Sequence, residues 1–169
     1  CSMSGRTKPL KARRWKKSMN PLEHIRAFAT RLTPAERQIK LDPPKEALAR
    51  LRTKTATLAD YLELCTSVHN AMAIEDSGVI TGQREIIDEA YAALNDIGER
   101  AGPVDFDAGT WSPPTCYALE LQALDDLWHA YSRQLHEVTY SEFVAAERKA
   151  LIRVGSGGGL VVKKGVVIT

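Results

Sequence analysis

Apolar residues recur at helical spacing along residues 57–74, TLADYLELCTSVHNAMAI, and this pattern constrains the fold more than any other. Thr57 has the side chain of a helix N-cap, and Asp60 stands where a carboxylate can return the capping hydrogen bond. One stripe then follows the 3.6-residue period: Leu58, Tyr61, Leu62, Cys65, Val68 and Met72. Because such a stripe must be buried against another element, the segment predicts one helix of a bundle.

Three further segments carry the same kind of stripe. Residues 83–103 read QREIIDEAYAALNDIGERAGP, and Gly102 followed by Pro103 marks the end of that helix. Residues 112–138 predict a helix of about seven turns that starts with Ser112 as cap. Residues 139–154 open with a capping box of Thr139 and Glu142, after a tight corner at Val138.

The stretch before residue 57 predicts shorter helices. Asn20 as N-cap and Pro21 at the first helical position begin one over NPLEHIRAFATRL. Thr33, Pro34 and Glu36 offer a second start. The following RQIKLDPP alternates and ends in two prolines, which indicates one short turn or helix, then an extended segment, then a short helix over PKEALARLR. The sequence therefore predicts an all-α fold, a bundle of four principal helices plus one or two short ones.

The two ends depart from this pattern and divide the chain into three parts. Residues 1–18 form a basic N-terminal arm, residues 19–154 the helical bundle, and residues 155–169 a Gly-rich linker with an apolar tail. GSGGG has the composition of a flexible linker, since no phosphate-loop lysine follows it. LVVKKGVVIT has two β-prone runs, which leaves a small hairpin, a strand that pairs elsewhere and an irregular tail as alternatives.

Charge separates the ends from the body. The arm carries seven bases and no acid: Arg6, Lys8, Lys11, Arg13, Arg14, Lys16 and Lys17. Residues 153–169 add three bases, so residues 18–152 hold thirteen basic against twenty-one acidic side chains, a net charge of −8. A basic segment of this kind suggests an acidic partner, which is nucleic acid, the acidic body itself or a neighbouring subunit.

The order of these segments resembles a group of small helical proteins encoded by temperate phages and other mobile elements of Gram-negative bacteria. The resemblance is carried by the basic leader and Asn-Pro start in RRWKKSMNP and by the central pair TLADYLELCTSVHNAMAI and EIIDEAYAALNDIGERAG. The closing helix and corner, LELQALDDLWHAYSRQLHEVTYSEFVAAERKAL, complete it. It covers roughly residues 6–152 and implies a genomic context, with no catalytic motif attached.

Few residues offer chemistry. Asp125 and His129 stand four apart on one predicted helix, and His136 follows seven residues later, so a carboxylate and two imidazoles share a face as candidate metal ligands. An ordinary polar helix face explains them more simply, and a real site would need a further ligand such as His69. Cys65 on the apolar stripe predicts a buried structural thiol. Cys116 is predicted in the first turn of the long helix, where the dipole can lower a thiol pKa, but no paired base is visible and a catalytic role is not predicted.

The resulting hypothesis is a non-enzymatic binding protein without a cofactor, working in the cytoplasm of a bacterial host. Lys and Arg of the arm would neutralise phosphates of nucleic acid or a nucleoprotein, and Trp15 among them would stack on an exposed base. Such a protein would serve in regulation, packaging or replication. The alternative is an inhibitor of a host system or an oligomeric assembly subunit whose tails dock on neighbours. No apolar run is long enough to span a membrane.

Overall fold

A computed structural model describes residues 20–22, 30–104, 107–108 and 110–154. These ranges contain five helices: α1 Pro34–Arg52, α2 Leu58–Asp76, α3 Arg84–Ala101, α4 Ala118–Glu137 and α5 Tyr140–Arg153. The described part of the chain has no strand, and an isolated bridge joins Arg31 to Thr139. The predicted all-α bundle is therefore confirmed. None of the helices in these ranges is long and apolar enough to cross a bilayer.

Helix α1 is one continuous helix, and the predicted break before the prolines was wrong. Thr33 and Glu36 form the expected capping box, but the helix then runs through Pro43 and Pro44 to Arg52. Interior prolines remove backbone donors, and packing of one face against the core outweighs that loss. Pro44 belongs to the buried face, whereas Ile39, which suggested an alternating strand, is 69% exposed.

Helix α2 is the centre of the bundle and contacts all four other helices. Thr57 and Asp60 cap its start as predicted, with Thr57 Oγ1 accepting from the Asp60 N–H. Tyr61, Cys65 and Val68 of the predicted stripe are buried, whereas Leu62 is 38% exposed. Burial extends around most of the helix, because neighbours pack against more than one of its sides.

The turn from α2 to α3 is organised by a carboxylate. The two oxygens of Glu75 accept from the backbone N–H groups of Gly82 and Gln83, at 3.0 and 3.2 Å. These bonds satisfy donors at the start of α3, where Gln83 makes no side-chain cap. Helix α3 ends at Gly102, whose φ of 76° suits glycine, so the predicted stop is confirmed.

Helix α4 begins six residues after the predicted cap. Ser112, Pro113 and Pro114 lie in non-helical chain, and the helix starts at Ala118. The residue before a proline favours extended backbone, which holds this stretch open. Glu120 supplies the actual cap by accepting from the Tyr117 N–H at 2.8 Å.

Helix α5 follows a corner at Val138 and opens with the predicted capping box of Thr139 and Glu142. The segment before α1 joins this corner, because the Tyr140 N–H donates to the Thr30 carbonyl at 3.1 Å. Of the predicted first helix, Asn20, Pro21 and Leu22 are described. Pro21 and Leu22 are helical, and Asn20 Oδ1 accepts from the Leu22 N–H at 3.2 Å; residues 23–29 lie outside the described residues.

Three side chains join the helices across the core. Tyr61 donates to the Leu94 carbonyl at 2.8 Å, Trp128 Nε1 to the Leu41 carbonyl at 2.9 Å, and Gln134 Nε2 to the Ala71 carbonyl at 3.1 Å. These bonds link α2 to α3, α4 to α1 and α4 to α2. A buried donor without an acceptor is costly, so these bonds favour one relative placement of the helices.

Candidate functional site

The basic arm, the main predicted site, lies outside the described residues. This applies to all of its predicted nucleic-acid contacts: Arg6, Lys8, Lys11, Arg13, Arg14, Trp15, Lys16 and Lys17. The first residue that the structure describes is Asn20. The apolar run of residues 160–169, with its three alternatives, also lies outside the described ranges.

The candidate metal ligands do not form a site. His129 Nε2 lies 3.5 Å from Asp125 Oδ2, so the predicted pairing across one helical turn is present. Asp125 is also bound by Arg52 Nη2 at 3.2 Å, and the ring of His129 meets the edge of Trp128. His136 is exposed nearer the end of α4. The part of the chain that the structure describes contains no group of three His, Cys, Asp or Glu side chains able to hold a metal ion.

Neither described cysteine has the surroundings of a nucleophile. Cys65 is buried, as predicted, and burial raises its pKa to about 12. Cys116 lies before α4 and not in its first turn, so the prediction of a lowered pKa was wrong. Burial, with Glu120 adding to it, raises the pKa of Cys116. Both thiols are therefore protonated near neutral pH, and a protonated thiol is a poor nucleophile.

A groove of about 440 Å³ lies between α2 and α5. Leu62, Cys65 and Thr66 line it from α2, and Leu151 and Val154 from α5. Leu151 is 73% exposed and Val154 49% exposed, so two large apolar side chains stand at an open edge. A groove of this size with mostly apolar walls is a common form of binding site.

Polar side chains lie at the base of the same groove. His69 and Asn70 reach it from α2, and both are at least nine-tenths buried. Burial, with a contribution from Arg153, lowers the pKa of His69, whose ring also meets Tyr91 of α3 edge-on. Glu147 enters from α5 and accepts from Lys40 Nζ at 2.7 Å. The groove thus combines apolar walls with polar groups. The sequence analysis did not predict this groove, although the apolar residues at the end of α5 could have indicated it.

A second, shallower groove of about 420 Å³ lies between α3 and α4 and is acidic. Glu89 and Asp96 of α3 and Asp126 of α4 line it. Its apolar part includes Leu119, which is 84% exposed, together with small alanine side chains. Neighbouring exposed carboxylates on α3 extend the negative charge: Glu85, Asp88 and Glu99.

Polar contacts near this surface fix the end of α3 against the start of α4. Arg100 donates to both oxygens of Glu120, at 2.7 and 2.5 Å, and to the Thr115 carbonyl at 3.3 Å. Burial alone would raise the pKa of Glu120, but the bonds from Arg100 and the Tyr117 N–H leave it lowered. Glu120 is therefore an ionised structural group within this surface.

Comparison with known proteins gives no relative for this chain. No protein-family model matches it, and neither the curated proteins nor the solved structures contain a match.

Proposed function

We propose that this protein works by binding, and that its basic arm, residues 6–17, engages nucleic acid or a nucleoprotein. In the mobile-element setting that the sequence pattern suggests, this is an accessory role in regulation, packaging or replication in the bacterial cytoplasm. The proposal concerns a partner and assigns no catalytic step to the chain.

The distribution of charge carries the proposal. Several basic side chains of the described body are already paired with carboxylates: Arg31 with Glu137, Lys40 with Glu147, Arg50 with Asp60, Arg52 with Asp125, Arg84 with Asp76 and Arg100 with Glu120. The remainder belong to a body of net charge −8. A body of this net charge attracts phosphate poorly, which favours a terminal segment as the source of attractive charge. The arm is the densest group of bases in the sequence.

The chemistry of the arm suits a sequence-independent contact. Seven Lys and Arg side chains can neutralise phosphates and release condensed counterions. Trp15 lies among Arg13, Arg14, Lys16 and Lys17 and can stack on an unpaired base, which contributes about 1–3 kcal/mol per base. Phosphate contacts fix position and carry no direct sequence information.

Fluorescence anisotropy with labelled single-stranded DNA, duplex DNA and RNA tests the proposal. We expect the full chain to bind and to lose about a thousandfold in affinity between about 50 and 200 mM salt. Replacing Arg13 and Arg14 by Gln should weaken binding. The matched control replaces Arg148 and Lys149, two exposed bases of α5, by Gln and should have a much smaller effect. Unchanged affinity in a chain that starts at Asn20 would reject the proposal.

The acidic groove between α3 and α4 favours a second function, in which the arm docks on protein. Glu89, Asp96 and Asp126 complement the charge of the arm, and the exposed Leu119 offers an apolar contact. The arm of a neighbouring copy docked here would make the chain an assembly subunit. The same acidic surface facing a foreign nucleic-acid-binding enzyme would make it an inhibitor.

A peptide of residues 6–17 separates these two functions. The second function requires that it bind the chain starting at Asn20, and that binding be lost on Glu89→Gln, Asp96→Asn and Asp126→Asn together. Asp42→Asn with Glu46→Gln, which removes two acids from α1, is the control. If the peptide does not bind while the full chain binds DNA or RNA, the nucleic-acid function stands and the second one fails.

A further inference from the structure

The groove between α2 and α5 has a candidate occupant in the chain itself. We propose that residues 160–162, Leu-Val-Val, fold back from the C-terminal segment and fill this groove in the same molecule. The proposal does not depend on the function of the basic arm, since it concerns the other end of the chain.

The groove is apolar where another segment would cover it. Leu62, Leu151 and Val154 are 38%, 73% and 49% exposed, and all three line the groove. Removing such side chains from water is the main favourable contribution to packing. Leu160, Val161 and Val162 provide apolar side chains of matching character.

The chain leaves the described structure at the groove. Val154 lines the groove and is also the last described residue. Arg153 Nη1 lies 3.6 Å from Asp76 Oδ2, so the C-terminal ends of α5 and α2 are close together. A chain leaving this end has to reverse direction to run along the groove. The next five residues, GSGGG, suit a reversal because glycine reaches backbone conformations closed to other residues.

The lengths agree. From Glu147 to Val154 helix α5 rises about 10 Å, which sets the length of the groove along that wall. Three residues in extended conformation cover about 10 Å. The five-residue linker spans at most about 17 Å, enough to cross from the end of α5 and return.

Charge at the far end of the groove agrees with this direction. A segment that runs back from Val154 brings Lys163 and Lys164 toward Glu147 and toward Glu63, which follows Leu62 in α2. The Glu147 carboxylate accepts from Lys40, and Glu147 and Glu63 both act electrostatically on Tyr131, so these two acids lie in one region that basic side chains complement. The second apolar run, residues 166–168, has no assigned place in the groove and provides a natural control.

A thiol reporter in the groove tests the proposal in the full chain. Thr66 is exposed and lines the groove, so Thr66→Cys is introduced together with Cys1→Ser and Cys116→Ser, while the buried Cys65 is kept. We expect N-ethylmaleimide to label this cysteine about tenfold more slowly than in a chain ending at Gly155, because labelling requires the tail to open. A second reporter, Ala92→Cys on the exposed face of α3, should label equally in both chains.

Substitutions in the tail test which of its residues fill the groove. Val161→Asp should abolish protection in the full chain, whereas Val167→Asp in the second run should leave it intact. Circular dichroism of each variant checks that the bundle is unchanged.

Equal labelling of the full-length and shortened chains overturns the proposal and leaves the groove open or covered by another part of the chain. Protection that rises with protein concentration overturns docking within one molecule and assigns the groove to a second copy. Equal effects of the two tail substitutions overturn the assignment to residues 160–162.

Discussion

Helix α2 has one side that is filled and one that is open. Toward α1, α3 and α4 its side chains are enclosed: Leu64 is 2% exposed, Tyr61 donates to Leu94 of α3, and Ala71 accepts from Gln134 of α4. Toward α5 the same helix borders the 440 Å³ groove, with Leu62 at its edge. Both sides belong to the same helix and share its N-cap. The difference in burial between them therefore comes from the residues that pack against each side.

The comparison separates the part of the sequence that specifies the fold from the part that remains available to a further segment, such as the C-terminal tail. The filled side is joined to neighbouring helices by two hydrogen bonds, from Tyr61 to the Leu94 carbonyl and from Gln134 to the Ala71 carbonyl, which favour one arrangement. The open side retains apolar residues that no described segment covers completely, and such surfaces mark interaction sites. Substitutions at pairs of residues, one from each side, measure this difference in packing.

The largest expected effect compares two leucines of α2. Leu64→Ala removes a buried side chain from the filled side and should lower the free energy of unfolding by about 3 kcal/mol, since large-to-small changes leave a cavity. Leu62→Ala on the open side, tested in a chain that ends at Gly155, should lower it by about 1 kcal/mol or less, because much of that side chain is already in water. Urea denaturation followed by circular dichroism measures both. Equal losses would show that the two sides of α2 are packed alike.

A smaller effect compares two acidic residues. Asp60 accepts from Arg50 at 2.9 and 2.6 Å and from the Thr57 N–H at 2.9 Å, whereas Glu147 pairs with Lys40 at the edge of the open groove. Asp60→Asn should cost about 2 kcal/mol of unfolding free energy, because the Asp60 carboxylate is itself nearly buried and loses charge-assisted hydrogen bonds from Arg50 and the capping bond from Thr57. Glu147→Gln should cost about 0–1 kcal/mol, since both side chains of that pair are one-third exposed or more.

The same aspartate gives a pH signature with a defined sign. Its hydrogen bonds from Arg50, and then from Thr57, hold the pKa of Asp60 below its ordinary 3.8. Its stabilisation is therefore complete above that value and is lost as pH falls below it through the folded-state pKa. Unfolding midpoints between pH 5 and pH 2 should fall more steeply for the parent than for Asp60→Asn. Parallel curves for the two proteins would contradict the role of this network.

Local signals in the sequence predicted the parts of the fold that depend on local bonds. The capping boxes at Thr57 and Thr139 and the stop at Gly102 lie where they were predicted, because each requires only a few adjacent residues. The α1 prediction failed at Pro43 and Pro44. Packing against α4 compensates for the missing donors there, through contacts such as Trp128 with Leu41, and these residues are far apart in sequence.

At the candidate site, too, the sequence predicted contacts within one helix but not contacts between helices. Helical periodicity predicted the proximity of Asp125 and His129, but it could not show that Arg52, from another helix, binds the carboxylate. It placed Cys65 in the core correctly. The α2–α5 groove depends on how two helices separated by more than sixty residues come together, and no spacing within either segment records that.

The smallest expected effect uses His69, at the base of the open groove. Burial, with Arg153 of α5 adding to it, holds the pKa of His69 below its ordinary 6.5. As pH falls below 6.5, the unfolded chain binds a proton that the folded chain does not, so stability should decrease, by at most about 1.4 kcal/mol per pH unit for one group. His69→Leu should flatten this decrease between about pH 6.5 and 5. His136→Asn, at an exposed position of α4, is the control and should keep the parent slope. If His69→Leu keeps the full slope, this histidine takes up a proton as readily in the folded chain as in the unfolded one, and the base of the groove is more open to water than its burial indicates.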